Sequence, residues 1–123
     1  MGNKKILIID DEKDLALIFS KLLENHGYEV HIALDGKQGI ESAMEIIPDA
    51  IVLDIKMPKK DGIAVLKELR SDQRFAGTPI IVLSAKGQLH EINMGLKAGA
   101  SAYLCKPVMP NEIINKLDAY LSE

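Results

Sequence analysis

The sequence has 123 residues, of which 47% are hydrophobic and 27% are charged, so we expect one globular domain, residues 1–123, with a buried core. Its formal net charge of −3, without a long run of lysine or arginine, argues against direct binding to nucleic acid or to an anionic membrane. The single cysteine excludes an internal disulfide and a zinc site built from cysteines, and no stretch predicts a signal peptide or a spanning helix, so we expect a cytoplasmic protein.

The first third of the chain predicts a strand, a helix and a second strand. Lys5 to Ile9 is a short apolar run, and the acids Asp10-Asp11-Glu12 follow it. A helix is predicted next, ending near Gly27, because apolar residues recur at helical spacing, at Leu15, Ile18, Phe19, Leu22 and Leu23. Tyr28 to Ala33 alternates enough to predict a more exposed strand, which we place at an edge of the sheet.

The second helix has recognisable signals at both of its ends. Asp35 and Gln38 resemble a capping box, with Asp35 capping the helix and Gln38 reaching back. Pro48 predicts the end of the helix. The residues expected on its buried face are Ile40, Ala43, Met44 and Ile47.

The third strand and helix follow at the centre of the chain. Ala50 to Asp54 carries four apolar residues in a row, which predicts a strand buried on both faces with a carboxylate at its end. A third helix is predicted from about Gly62 to Gln73. Its inward positions are Val65, Leu66 and Leu69.

The last third predicts two more strand and helix pairs. Ile80 to Leu83 predicts a strand that ends at Ser84, and a helix from about Leu89 to Ala98 follows, capped by Gly99. Ala102 to Cys105 predicts a short fifth strand that ends at Lys106-Pro107. The final helix has Pro110 in its first turn, with Ile113, Ile114, Leu117 and Leu121 facing in.

The polar residues of the chain fall at the carboxyl ends of the predicted strands. Strict alternation of strands and helices predicts an α/β fold with a parallel sheet covered on both faces, and such sheets bind ligands at these ends. Asp10 and Asp11 end the first strand, Asp54 the third, Ser84 the fourth and Lys106 the fifth. Three carboxylates in one crevice repel one another and need a cation, and oxygen ligands suit Mg²⁺.

Phosphoryl transfer to a carboxylate is the chemistry that fits this set of residues. Asp54 can act as a nucleophile and form an aspartyl phosphate, while Mg²⁺ and Lys106 neutralise the transferring group and Ser84 donates a hydrogen bond to it. The alternative is purely structural: the acids cap helices, and Lys106 pairs with one of them.

At these positions the sequence resembles a known family, the receiver domains of bacterial two-component response regulators, including their single-domain chemotaxis type. The resemblance covers essentially the whole chain, with all motifs in order. The motifs are Ile9-Asp10-Asp11-Glu12, Leu53-Asp54-Ile55-Lys56-Met57-Pro58 with Asp61-Gly62, Ser84-Ala85, Gly95-Leu96-Lys97-Ala98-Gly99-Ala100 and Lys106-Pro107. The family implies a doubly wound five-stranded parallel sheet with the flavodoxin-like strand order 2-1-3-4-5 and five helices on both faces.

The resemblance also implies a role for each site residue. Asp54 would accept a phosphoryl group from the phosphohistidine of a sensor histidine kinase. Asp10, Asp11 and Asp54 would hold Mg²⁺ together with the backbone carbonyl of Lys56. Catalytic contacts to the phosphoryl oxygens would come from Ser84 and Lys106.

Three further features follow from the same resemblance. The Lys106-Pro107 peptide bond is expected to be cis. Tyr103 matches the aromatic switch position, which packs inward when Ser84 moves to the phosphoryl group; the alternative is a half-buried aromatic on a strand. Gly87 and Gly95 weaken the fourth helix, which suits an element that shifts between two states.

Lys56 and Lys86 lie at positions that tune hydrolysis of the phosphoryl group in this family. A solvated-surface role is the alternative for both.

Several functions remain open within this interpretation. The chain could bind a target protein through the face of the fourth helix, fifth strand and fifth helix, or pass the phosphoryl group to a histidine phosphotransferase as a phosphorelay intermediate. It could also be a receiver cut from a larger regulator or hybrid kinase. We expect no enzymatic activity beyond its own phosphorylation and slow autodephosphorylation.

Two functions of other classes are disfavoured by single positions. An aspartyl-phosphate phosphatase of the haloacid-dehalogenase type needs an acid two residues after the nucleophile, where this chain has Lys56. A flavin-binding electron carrier needs a phosphate loop after the first strand, where Asp10-Asp11-Glu12 would repel a phosphate.

Overall fold

The computed structural model describes residues 3–55, 61–85 and 89–122. Within these residues the strands are β1 (Lys5–Ile9), β2 (Glu29–Ala33), β3 (Ala50–Asp54), β4 (Ile80–Ala85) and β5 (Ala102–Lys106). The helices are α1 (Lys13–Asn25), α2 (Gly36–Ile46), α3 (Gly62–Arg70), α4 (Leu89–Lys97) and α5 (Pro110–Leu121), with a 3-10 turn at Gln73–Phe75. The strands form one parallel sheet in the order β2-β1-β3-β4-β5, which confirms the predicted fold class and strand order.

The sheet has a hydrophobic core on each face because successive side chains of a strand point to opposite sides. Leu7, Ile51 and Val82 share one core with the buried residues of α2 and α3. Ile8 and Val52 share the other with α1 and α5. All five residues of β3 are buried, as expected for a central parallel strand.

The apolar positions noted for α1 do not all face the core, and the buried face predicted for the second helix needs one correction. In α1, Ile18 is 55% exposed, and the buried positions are Ala16, Phe19, Ser20 and Leu23. In α2, Ile47 was expected to face the core, but it is 44% exposed. Ile47 ends the helix in the left-handed region, with φ of 51°, since Pro48 cannot continue a helix.

The capping prediction for α2 is confirmed at Asp35 and corrected at Gln38. The Asp35 carboxylate accepts a hydrogen bond from the backbone N–H of Gln38 at 2.8 Å. The side chain of Gln38 accepts from the N–H of Leu34, not from that of Asp35. The Gln38 side chain therefore bonds a backbone N–H four residues earlier, whereas in a capping box the separation is three residues.

The third helix is shorter than predicted and ends at Arg70 instead of Gln73. Asp72 interrupts it, because its carboxylate accepts from the N–H of Arg74 and starts the 3-10 turn. The predicted inward residues Val65, Leu66 and Leu69 are buried.

The remaining helix ends agree closely with the sequence signals. Gly27 and Gly99 follow helices with φ of 104° and 110°, the conformation that favours glycine. The α4 helix ends at Lys97, one residue before the predicted end. In the described ranges, no helix combines the length and the apolar character needed to cross a membrane.

Gly95 in α4 is expected to accept alanine with a gain in stability. A Cβ at Gly95 would lie 3.5 Å from Val82, 3.7 Å from Ile55 and 3.8 Å from Ile63, which are ordinary contact distances. Because alanine also favours a helix by about 1 kcal/mol over glycine, Gly95→Ala should raise the melting temperature by about 4 °C. Gly27→Ala, at positive φ, should lower it. An unchanged or lower melting temperature for Gly95→Ala would contradict the packing described for α4.

Candidate functional site

The predicted site residues meet at the carboxyl ends of the strands. Asp10 directly follows β1, Asp54 ends β3, Ser84 is the penultimate residue of β4 and Lys106 ends β5. Asp10, Asp54 and Ser84 are 1%, 2% and 2% exposed. The parallel register of neighbouring strands therefore brings these three buried polar groups and the half-buried Lys106 to one edge of the sheet.

Lys106 is the cation of this cluster. Its Nζ donates a hydrogen bond to Oδ2 of Asp54 at 2.9 Å and lies 3.9 Å from Oε1 of Glu12. Burial opposes the charged form of Lys106, but the hydrogen bond to Asp54 and the surrounding carboxylates outweigh it and hold the pKa of Lys106 above its ordinary value. The ammonium group is therefore charged and directed at Asp54.

The carboxylate of Asp10 accepts one hydrogen bond from the backbone. Its Oδ1 accepts from the N–H of Glu12 at 2.9 Å, whereas its buried Oδ2 has no hydrogen-bond partner among the described residues. Burial raises the pKa of Asp10 to about 6, and the charge of Asp54 adds to this effect against the backbone hydrogen bond. A buried oxygen without a partner in an acidic cluster has the properties of a ligand for a cation.

Three carboxylates come together at this position: oxygens of Asp10, Glu12 and Asp54 lie within 4.8 Å of one another. Glu12 was missed as a candidate ligand, although it belongs to the same acidic run. Asp11 is exposed and lies outside this group, so its role as a ligand stays a prediction. Lys56, whose carbonyl is the other predicted ligand, lies outside the described residues, as do Lys86 and Gly87.

The donor set fits Mg²⁺, because hard carboxylate oxygens converge and one of them, Oδ2 of Asp10, is buried without a hydrogen-bond partner in the part of the chain that the structure describes.

The hydroxyl group of Ser84 contacts the following helix. Its Oγ is 3.3 Å from Oε1 of Glu91, in the first turn of α4, and 3.4 Å from the carbonyl oxygen of Ala85. The carboxylate of Glu91 is the better acceptor because it is charged. Nothing in the sequence identifies Glu91 as a partner of Ser84.

The remaining predicted positions lie on β5 and directly after it. Tyr103 is 40% exposed, so its side chain is in an outward position in this structure. The peptide bond between Lys106 and Pro107 is cis.

Comparisons with known proteins agree on one family. A family model described as the response regulator receiver domain matches residues 6–118, a range that contains all of the clustered site residues. The alkaline phosphatase synthesis transcriptional regulatory protein PhoP of Bacillus subtilis is 40% identical over 97% of this chain and 49% of its own length. The DNA-binding dual master transcriptional regulator RpaA of Synechocystis sp. is 40% identical over 95% of this chain and 48% of its own length.

The chain therefore spans about half the length of these curated relatives. Among solved structures, chemotaxis response regulator CheY4 of Vibrio cholerae superposes with a TM-score of 0.91 at 29% identity, covering 98% of this chain and 100% of that chain.

Proposed function

This chain belongs to the response regulator receiver domains, the phosphorylation-activated switches of two-component systems, and we propose that Asp54 is the phosphoryl acceptor of its switch. The observation that carries the proposal is the buried carboxylate of Asp54, paired with the Nζ of Lys106 at 2.9 Å, beside an Asp10 oxygen that no other described residue hydrogen-bonds. We further propose that residues 1–123 form one such receiver unit.

The transfer uses Asp54 as the nucleophile. A carboxylate oxygen of Asp54 attacks the phosphorus of a phosphohistidine on a sensor histidine kinase. A P–O bond forms, the P–N bond breaks, and its electron pair returns to the imidazole nitrogen. The Lys106 ammonium balances charge on the phosphoryl oxygens, and the Ser84 hydroxyl donates to one of them. The chain thus assists its own phosphorylation and the slow hydrolysis of the acyl phosphate.

Asp10 and Asp54 are the described residues that would hold Mg²⁺, with Glu12 adjacent and with Asp11 and the carbonyl of Lys56 as proposed further ligands. Bound Mg²⁺ would supply positive charge against the oxygens of the transferring group. Asp10 and Glu12, which follow β1, would hold the cation beside Asp54 at the end of β3.

Mg²⁺ is expected to stabilise the folded chain. A ligand that binds only the folded state at ten times its Kd adds about 1.4 kcal/mol, or a rise in melting temperature of about 5 °C. Asp10→Asn should lose this shift, whereas Asp14→Asn, an exposed acid in α1, should keep it. The shift should also shrink below a pH of about 6, where a proton occupies Asp10. A melting temperature indifferent to Mg²⁺ at neutral pH would rule out the cation site.

The downstream partner is proposed from the same framework. Phosphorylation would draw Ser84 toward Asp54, Tyr103 would pack inward, and a target protein or a histidine phosphotransferase would bind the face of α4, β5 and α5. The relatives named as transcriptional regulators are about twice as long as this chain. The expectation that the chain itself makes no direct contact with nucleic acid therefore stays a prediction.

The decisive experiment is intact-mass analysis after incubation with acetyl phosphate and Mg²⁺. We expect one added phosphoryl group on the parent, none on Asp54→Asn, and none when the Mg²⁺ is chelated before the reaction. Beryllofluoride, a stable mimic of the phosphoryl group, separates rapid hydrolysis from lack of reaction, because it accumulates on a competent site. A parent that neither gains the phosphoryl group nor binds beryllofluoride would overturn the assignment of Asp54.

A further inference from the structure

The carboxylate of Glu91 contacts Ser84, one of the proposed catalytic residues, although Glu91 lies outside the acidic cluster of Asp10, Glu12 and Asp54. It is half-buried in the first turn of α4, and its Oε1 lies 3.3 Å from the hydroxyl oxygen of Ser84. Ser84 is only 2% exposed, so water competes little for this hydroxyl group. At 3.3 Å this hydrogen bond is longer than the usual O–H···O range, so we expect it to contribute modestly.

A serine hydroxyl has a single proton to donate. Under the proposed function, Ser84 donates it to a phosphoryl oxygen on Asp54, whereas in this structure Glu91 accepts it. The two acceptors therefore compete. We propose that Glu91 is a positioning residue that holds the Ser84 hydroxyl, and through it the first turn of α4, in the unphosphorylated arrangement. This inference rests on the proposed function and adds to it the residue that opposes the switch.

The two ends of α4 are held in different ways, which gives the competition a structural consequence. At the C-terminal end, the carbonyl of Gly99 accepts from Nε of Arg70 at 2.8 Å, and the N–H of Ala100 donates to Gly95 at 2.9 Å. These contacts do not involve Ser84. When Ser84 transfers its hydrogen bond to the phosphoryl group, the N-terminal end of α4 loses its hydrogen bond to Ser84, whereas these C-terminal contacts stay in place.

Glu91 could instead act only by stabilising the N-terminal end of α4, and the experiment has to separate this role from the contact with Ser84. A carboxylate in the first turn stabilises a helix through its dipole, and this effect is the same whether or not Asp54 is phosphorylated. Glu91→Asp separates the two roles: it keeps the negative charge in the first turn but shortens the side chain by one carbon–carbon bond, about 1.5 Å, and so draws the oxygen away from Ser84.

The test is the affinity for beryllofluoride in the presence of Mg²⁺, measured by titration calorimetry. Glu91→Ala and Glu91→Asp should each bind about three- to tenfold more tightly than the parent, because neither has to break the hydrogen bond to Ser84. In a Ser84→Ala background the same two substitutions should have no effect on affinity. Glu112→Ala removes the corresponding first-turn acid of α5 and should leave the affinity unchanged.

Each outcome of this experiment has one meaning. If the parent binds no beryllofluoride, the proposed function fails, whatever the variants do. If the parent binds and the Glu91 variants bind equally or more weakly, Glu91 does not hold Ser84. If the tightening persists without the Ser84 hydroxyl, it arises from the helix alone, and the proposed competition is wrong.

Discussion

Gly62→Ala is expected to lower the free energy of unfolding by about 3 kcal/mol, since the added methyl group has no room. A Cβ at Gly62 would lie 2.5 Å from the carbonyl oxygen of Asp54 and 2.5 Å from Cα of Ile55. Both are backbone atoms at the end of β3 and cannot rotate away. The N–H of Gly62 also donates to the carbonyl of Ile55 at 2.6 Å, so the helix cannot retreat without losing this bond.

The measurement for Gly62→Ala is urea denaturation, with Gly77→Ala as the matched control. Among the described residues, none other than the chain neighbours of Gly77 has an atom within 4 Å of its Cβ position, and its φ is ordinary, so alanine there should be neutral or slightly stabilising. Because the strained backbone carries Asp54, the Gly62 variant should also show a smaller thermal shift with Mg²⁺. Equal stability of the two variants would contradict the close approach of α3 to β3.

Arg70→Met is expected to lower the free energy of unfolding by a similar amount, about 3 kcal/mol. The guanidinium group of Arg70 donates to the backbone carbonyls of Gly99, Phe75 and Thr78 and to the hydroxyl oxygen of Ser101. Burial lowers the pKa of Arg70. None of these four contacts is an ion pair. The guanidinium group contributes by donating hydrogen bonds to several acceptors at once at the amino end of the sheet.

Two further variants, measured by the same urea denaturation, separate the charge of Arg70 from its hydrogen bonds. Arg70→Lys keeps the charge but cannot reach several acceptors at once, so it should recover only about 1 kcal/mol. Arg74→Met removes a neighbouring exposed arginine, which pairs with Asp72 at 2.8 Å, and it should cost much less stability than Arg70→Met, because exposed ion pairs contribute little. If Arg70→Lys matched the parent, charge and not hydrogen-bond geometry would explain the role of Arg70.

The sequence was most informative where one physical effect dominates. Continuous apolar runs predicted β1 and β3 because central parallel strands are buried on both faces, and the bounds of both agree with the structure. Asp10, Asp54, Ser84 and Lys106 could be placed together because parallel strands end at one edge of the sheet.

The predictions that failed concern packing that apolar periodicity does not encode. Ala16 and Ser20 are buried in α1 because small side chains let a helix approach the sheet, and this turns Ile18 outward. Glu91 was missed because its contact with Ser84 depends on where α4 lies in space, and no local pattern reports that position. Ile47 is exposed because it precedes Pro48 and ends the helix in the left-handed region, so it no longer follows the helical spacing.

In the proposed switch, α4 would pivot about its C-terminal end, because the hydrogen bonds at that end do not involve Ser84. The helix has nine residues and is about 13 Å long, so a displacement of about 2 Å at Leu89 turns its axis by about 9° around Lys97. Leu89 is 69% exposed and would move furthest, whereas Leu96, 43% exposed, lies one residue from the pivot and would hardly move. A partner that touches the Leu89 end would distinguish the two states, and one that touches only Leu96 would bind both equally.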